Sequence, residues 1–288
     1  MPPSPETSGQ RRGYVIPIGG AEERTSSARV LKKFVKLCGG KNARIVIIPT
    51  ASNLADTGDK YIEIFAKLGV VDAISLAINE RSEAARQDYL EALENATGIF
   101  ITGGNQLRLS TILGGTEVAK KIRRLNAQGV HVAGTSAGAA IMPEHMIAGG
   151  STGSIPSADG VNLAPGLGLT NALLIDQHFS QRDRLGRLLT AISYNPFMLG
   201  VGIDEDTAIF IDADQNFEVV GSGAVTVIDP IDLSYSSMSR ASKKDALSML
   251  DLKLHILSKG CRFDIHERKP YPPVQVSTKL PIKNNKTV

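Results

Sequence analysis

The chain has 288 residues, about twice the ~150-residue domain prior, a length that α/β folds often reach as one domain. Apolar residues make up 42% and charged residues 21%, which excludes a disordered, fibrous or disulfide-built chain. Lys plus Arg exceed Asp plus Glu by only 32 − 29 = 3, too little to argue for nucleic acid or an anionic membrane as partner.

Residues 1–13 are rich in Pro, Ser and Gln and lack the apolar stretch of a secretory signal, so no export is expected. Every apolar run stops short of the ~18 to 20 residues that cross a bilayer. Cys38 and Cys261 sit in no CxxC and beside no histidine cluster, which points to a reduced, cytoplasmic setting. The expected organisation is a flexible N-terminus over 1–13, a single α/β domain over 14–268 and an irregular Pro/Lys/Asn-rich tail over 269–288.

Short β-branched runs alternate with segments of helical period, the pattern of βαβ units around a mainly parallel twisted sheet. Strands are expected at Tyr14 to Ile18, Arg44 to Ile48, Val71 to Ile78, Gly98 to Thr102 and Gly129 to Ala133, the first three of them buried. Helices are expected at Arg29 to Leu37, with Cys38 as a core thiol, at Tyr61 to Leu68 and, on the surface, at Arg81 to Ala96. Beyond residue 198, the short runs Met198 to Ile203, Ala208 to Ile211, Glu218 to Val219 and Ala224 to Ile228 predict an antiparallel extension of the sheet. Several strands deliver small residues at their carboxyl ends, the edge at which open α/β sheets bind ligands.

The sharpest motif is Gly134-Thr135-Ser136-Ala137-Gly138, which follows a strand and precedes the helix-like stretch Ala137 to Met142. A G-x-S-x-G at a strand-to-helix turn forms a nucleophile elbow that holds the serine hydroxyl at the sheet edge. A serine that merely caps a helix would give the same five residues, but the strand before and helix after favour the nucleophile. The N–H of Ala137 then lies at a helix N-terminus, ready to stabilise an oxyanion, and Gly104 after the preceding strand supplies a second donor.

Serine needs a base, usually a histidine oriented by a carboxylate. Of the five histidines, His131 lies within a strand, His145 follows a Pro-Glu break, His255 alternates within an apolar run and His266 sits among charges. His178 alone ends an apolar run, Ala172 to Ile175, at a strand-to-loop position. The carboxylate should come from Asp204, Glu205 or Asp206, which alternation cannot separate, or from Asp159 in a Ser/Gly/Pro loop. Arg182, Arg184 and Arg187 fall within two turns of a helix expected after Ser180. On a surface helix three arginines are by default a solvated face, but beside His178 they suggest recognition of carboxylates and hence an acidic substrate.

Together, Ile18 to Glu22, Ile47 to Ala51, Thr102 to Gln106, Gly134 to Gly138, Asp176 to Arg184 and Gly202 to Glu205 resemble the cyanophycinases, serine exopeptidases related to the aspartyl dipeptidases. The resemblance implies a class I glutamine-amidotransferase-like α/β fold, usually homodimeric, without metal or organic cofactor. It implies cyanophycin as substrate, a poly-aspartate chain bearing arginine on each β-carboxyl, cleaved to β-Asp-Arg dipeptides. By resemblance Ser136 is the nucleophile, His178 the base and then acid, and Glu205 its orienting carboxylate. Gln106, Asp176, Gln177, Arg182, Arg184 and Arg187 are assigned to the substrate pocket, with Asp176 placed to take a guanidinium and the arginines a carboxylate. The order Ser, His, Glu differs from the Ser, Asp, His of α/β-hydrolases. An aspartyl dipeptidase and a non-catalytic binding protein on the same fold are the alternatives.

Overall fold

A strand apolar at every position must be covered on both faces, and the first half of the chain builds such strands. The computed structural model describes residues 2–6, 9–25 and 27–274. Its first half contains β1 (Val15–Ile18), α1 (Arg29–Leu37), β2 (Arg44–Ile48), α2 (Thr57–Lys67), β3 (Asp72–Ser75), α3 (Gln87–Glu94), β4 (Gly98–Ile101), α4 (Gln106–Leu113), α5 (Glu117–Ala127), β5 (His131–Thr135) and α6 (Ala137–Ala140). There follow β6 (His145–Gly150), β7 (Val161–Pro165), β8 (Leu173–Gln177), α7 (Leu185–Tyr194), β9 (Leu199–Ile203), β10 (Thr207–Ile211), β11 (Asn216–Gly221) and β12 (Val225–Asp229). The C-terminal strands are β13 (Tyr235–Ser236), β14 (Met249–Leu250), β15 (Lys253–Leu257), β16 (Arg262–Asp264) and β17 (Lys269–Tyr271).

The main sheet has the order β17-β16-β11-β10-β1-β5-β4-β2-β3. Strands β1 to β5 run parallel within it, and β10, β11, β16 and β17 add antiparallel neighbours beyond β1. Period-2 alternation sends Ile16, Ile18, Ile45, Ile47 and Phe100 to one face, where α1 and α2 add Leu31, Phe34, Tyr61 and Phe65. Val46, Ile48, Ile99, Ile101 and Val132 go to the other, against Leu109, Ile122 and Ile141. Each of these buried side chains contributes roughly 1.5–3 kcal/mol. Cys38 lies buried at the end of α1, as a core thiol should.

Four expectations need correction. Asp72–Ser75 is not a buried strand: β3 is the last strand of the sheet, paired on one side only, and its residues are exposed or half-buried. The helix expected over Arg81 to Ala96 breaks at Arg86, which is extended at ψ 130 and fork-bonded to Asp88 at the start of α3, leaving a 3-10 turn before it. The antiparallel extension divides in two. While β10 and β11 widen the main sheet, β9 and β12 join β8 and β15 in a second sheet of order β15-β12-β9-β8, within which β8 and β9 run parallel. Finally, Lys269–Tyr271, within the stretch expected to be irregular, is an edge strand on β16, a position that tolerates Pro270. The tail from 275 onward lies outside the described residues, as do residues 1, 7 and 8 of the N-terminal stretch, where Gly13 is tied to Asn126 by two hydrogen bonds.

Candidate active site

The carboxyl ends of β1, β4, β5 and β8 meet at one edge of the fold. At the end of β5 the chain turns through Ser136, whose φ of +53° and ψ of −112° is a strained conformation for a residue with a Cβ. The two glycines of the motif make the turn possible. A Cβ on Gly134 would collide with the carbonyl of Gly138, and one on Gly138 with the carbonyl of Ile101. The expected helix to Met142 is a single turn, Ala137–Ala140.

The hydroxyl of Ser136 lies 2.9 Å from Nε2 of His178, and Nδ1 of the same ring lies 2.6 Å from Oε1 of Glu205. Among the described residues, the N–H groups of Ala137, next to Ser136, and of Gly104 donate to no backbone carbonyl. The Oε1 of Gln177 is 3.4 Å from the Ser136 hydroxyl, so the serine's single proton goes to the nearer and more basic imidazole.

The acidic turn after β9 resolves by geometry. Asp204 accepts the N–H groups of Ser180 and Ala224, Asp206 takes the N–H of Glu23 and the hydroxyl of Ser222, and only Glu205 reaches His178. Asp159 accepts the N–H of Lys244. His131 accepts the N–H of Tyr14, His255 packs on Phe263, and His266 is exposed beside Glu267. His145 begins β6.

Burial holds the His178 imidazole below the titration range of an exposed histidine; the hydrogen bond to Glu205 opposes this, and the charge of Arg182 reinforces it. A neutral ring can accept the serine proton and a protonated one cannot. Activity is therefore expected to be lost as pH falls through the His178 pKa, with the acid limb of kcat/KM lying below 6.5. Replacing Glu205 by Gln removes an anion that favours the protonated ring, so the limb moves lower still while the rate falls about 10²- to 10⁴-fold. A pH–rate profile checks both, and an acid limb above 6.5 would contradict them.

The expected substrate pocket is only partly assembled around the elbow. Alternation along β8 turns Gln177 toward Ser136 and sends Asp176 to the opposite face, against α7. There Asp176 is held bidentately by Arg187, Nε to Oδ2 at 2.6 Å and Nη2 to Oδ1, while Arg184 reaches Oδ1 at 3.4 Å and the carbonyl of Gln177. Asp176 is therefore occupied by the chain's own arginines and is not free to take a guanidinium from a ligand. Nor do the three arginines share a helix: Asp183, at φ +47°, separates the 3-10 turn carrying Arg182 from α7. Arg182 is exposed, Arg184 and Arg187 are buried, and burial together with Arg187 pushes Arg184 down to about 10. Gln106 opens α4 and bonds the carbonyl of Ala148 at 2.9 Å, just before the glycine-rich loop 149–159. That loop packs on the start of α7 through hydrogen bonds of Gly153 with Asp183 and Gly186.

Sequence reasoning gave no role to the segment after β1. A Cβ on Gly20 would collide with Cε1 and Nε2 of His178, so the ring lies directly against this backbone. Glu22, 3% exposed, accepts hydrogen bonds from Tyr61 at 2.6 Å, from Arg24 at 3.1 Å and from the hydroxyl of Thr135. The available signal was Gly19-Gly20 at the carboxyl end of a strand that pairs with the elbow strand.

The profile of Peptidase family S51 matches residues 15–219. The chain belongs to peptidase family S51. It is 42% identical to a cyanophycinase of Geminocystis herdmanii over 91% of this chain and 96% of the relative. It is 41% identical to one of Trichormus variabilis over 90% and 88%, and 43% identical to one of Synechococcus elongatus over 86% and 78%. A crystal structure of a peptidase from an acI-B1 actinobacterium superposes with a TM-score of 0.61 at 19% identity, covering 86% of this chain and 98% of that one. The S51 chain therefore has the class I glutamine-amidotransferase-like α/β fold and is a serine-type peptidase. Among the described residues, no helix is long and apolar enough to cross a membrane.

Proposed function

We propose that this S51 peptidase is an exopeptidase that hydrolyses cyanophycin to β-Asp-Arg dipeptides. The observation that carries the reading is the relay from Ser136 through His178 to Glu205, 2.9 and 2.6 Å, in a chain at least 41% identical to three cyanophycinases. Ser136 attacks a backbone carbonyl of the poly-aspartate chain as its proton passes to His178 Nε2, and Glu205 stabilises the imidazolium. The N–H groups of Ala137 and Gly104 receive the oxyanion. His178 then gives its proton to the leaving amine, and water hydrolyses the acyl-enzyme by the same relay in reverse.

The charges near the site suit this substrate. Asp176 with Arg184 and Arg187 leaves one positive charge unbalanced in a buried setting, which favours a carboxylate nearby. A groove of about 390 Å³ that begins at Phe179 and Ser180, the residues after His178, is lined by Arg184 together with Asp183 and Asp204, so it offers both signs of charge to a zwitterionic polymer. In this reading Gln106, Gln177 and the exposed Arg182 contact the substrate directly, and Arg184 and Arg187 act from beneath. Hydrolysis of purified cyanophycin is expected to exceed that of α-aspartyl dipeptides by at least about 100-fold in kcat/KM, a difference of roughly 2.7 kcal/mol in transition-state binding. Preference for the dipeptides would make the protein an aspartyl dipeptidase.

A single catalytic domain from residue 14 through β17 is supported by the core, in which buried residues of the main sheet, such as Ile99 and Ile101, and of the second sheet, such as Ile175 and Val201, share one cluster. The resemblance to cyanophycinases carries a homodimer and a cytoplasmic location. Exposed Leu254 and Ile256 on the outer strand β15 support the first, and a monomer in sedimentation equilibrium would refute it.

A further inference from the structure

We propose that the segment Ile18 to Glu23, through the buried carboxylate of Glu22, is the element that positions all three members of the relay, and that Glu22 and Thr135 are positioning residues for the reaction. The inference rests on Ser136 acting as nucleophile. Ser136 and His178 are each fastened to this segment by a backbone hydrogen bond, and Glu205 is held to it through its neighbour Asp206. The N–H of Ser136 donates to the carbonyl of Ile18 at 3.0 Å, and the N–H of His178 to that of Gly19 at 2.8 Å. The N–H of Asp206, next to Glu205, donates to the carbonyl of Gly20 at 2.9 Å, and its carboxylate receives the N–H of Glu23 at 2.8 Å. The side chain of Glu22 holds the hydroxyl of Thr135, immediately before Ser136.

Backbone strain shows why such a hub is required. Ser136, His178 and Asp206 have φ of +53°, +47° and +48°, in the region that favours glycine. Side-chain-bearing residues persist there only where their surroundings over-determine them. Ser136 follows β5, His178 follows β8 and Asp206 lies in the turn after β9, and the segment from Ile18 to Glu23 bonds to each.

Within the loop, Glu22 is its one buried anchor. Its carboxylate is matched by three donors, Tyr61 and Arg24 on Oε1 and Thr135 on Oε2, so the loop, α2 and the elbow are held in fixed register. Glutamine at position 22 cannot accept from all three, because its amide nitrogen offers only donors. Valine at 135 has the shape of threonine but lets the elbow turn away from the loop. Such a shift lengthens the approach of Ser136 to His178, and a misplacement of ~1 Å costs about 100-fold in rate.

The test compares Thr135→Val, Thr135→Ser and Glu22→Gln with the unmodified chain, well below their melting temperatures. Two readings are taken: the rate at which a fluorophosphonate captures Ser136, and kcat and KM on cyanophycin. Thr135→Val and Glu22→Gln are expected to slow capture and kcat by about 10- to 100-fold with KM within about twofold, and Thr135→Ser to restore most of both rates. A merely structural role would lower the melting temperature and leave both rates of the folded protein unchanged, and that result overturns the inference. Should Glu22→Gln fail to fold, Tyr61→Phe removes a donor from the same carboxylate away from the elbow, and unchanged rates in it and in Thr135→Val would be equally decisive. Failure of the unmodified chain to be captured at Ser136 would instead overturn the catalytic reading on which the inference rests.

Discussion

Ser136→Ala is expected to lose roughly 10⁴-fold or more of the hydrolytic rate while folding as the parent does. The relay makes chemistry depend on one oxygen: His178 sits 2.9 Å from it and, without it, has no proton to take. Removing Oγ also removes little from the folded structure, since the side chain is half-exposed and its neighbours are the ring of His178 and the amide of Gln177. The backbone sharpens the expectation. At φ +53° the residue carries strain of about 1–3 kcal/mol that alanine retains and glycine relieves, against an entropic cost of about 0.5–1 kcal/mol for glycine. Ser136→Gly should therefore melt at or above the parent temperature and be equally inactive. A Ser136→Ala enzyme with parental activity would exclude this serine as nucleophile.

The second large effect concerns stability and comes from the face of β8 turned away from the elbow. Asp176→Asn is expected to destabilise the protein by about 3–5 kcal/mol, a fall in melting temperature of roughly 10 °C, because it strands two buried guanidinium groups. Arg184 and Arg187 are 8% and 5% exposed, and Asp176 is the carboxylate both are paired with. Replacing the central pair by apolar residues, Asp176→Leu with Arg187→Met, should recover part of that loss, since a buried ion pair is worth little against well-packed hydrophobic groups and only Arg184, still bonded to the Gln177 carbonyl, is left without a carboxylate. Activity separates the two roles. If the arginines also balance a substrate carboxylate, the double variant regains stability but keeps a raised KM. Thermal unfolding of Asp176→Asn at the parental temperature would show that no such buried cluster exists.

How far the sequence leads depends on how local the determining interaction is. The helix Arg29–Leu37 and the strand Arg44–Ile48 begin and end where the sequence pattern places them, because periodicity and the residues at their ends decide both. Ser136 and His178 are legible for a similar reason: a glycine-flanked turn and a strand end each specify position without reference to distant residues. The carboxylate is not. Asp204, Glu205 and Asp206 lie in a turn, outside the alternation of β9, and what separates them is whether the partner is an N–H of Ser180, the ring of His178 or an N–H of Glu23.

Burial misled the reading of the arginines for the same kind of reason. A cluster spaced like a solvated or ligand-facing patch is in fact split by the left-handed turn at Asp183, and two of its members are spent on Asp176 from the far side of a strand. The second sheet was equally hidden, since β9 pairs with β8 across α7 and with β12 across two strands of the main sheet. The role of Gly20 is a matter of contact, visible only once His178 is seen lying against it.

The most direct measurement is mass spectrometry of the products formed from purified cyanophycin by the parent protein and by Ser136→Ala in parallel. The expected result is release of β-Asp-Arg dipeptide by the parent alone. Polymer left intact by the parent, or dipeptide released equally by Ser136→Ala, would contradict the account.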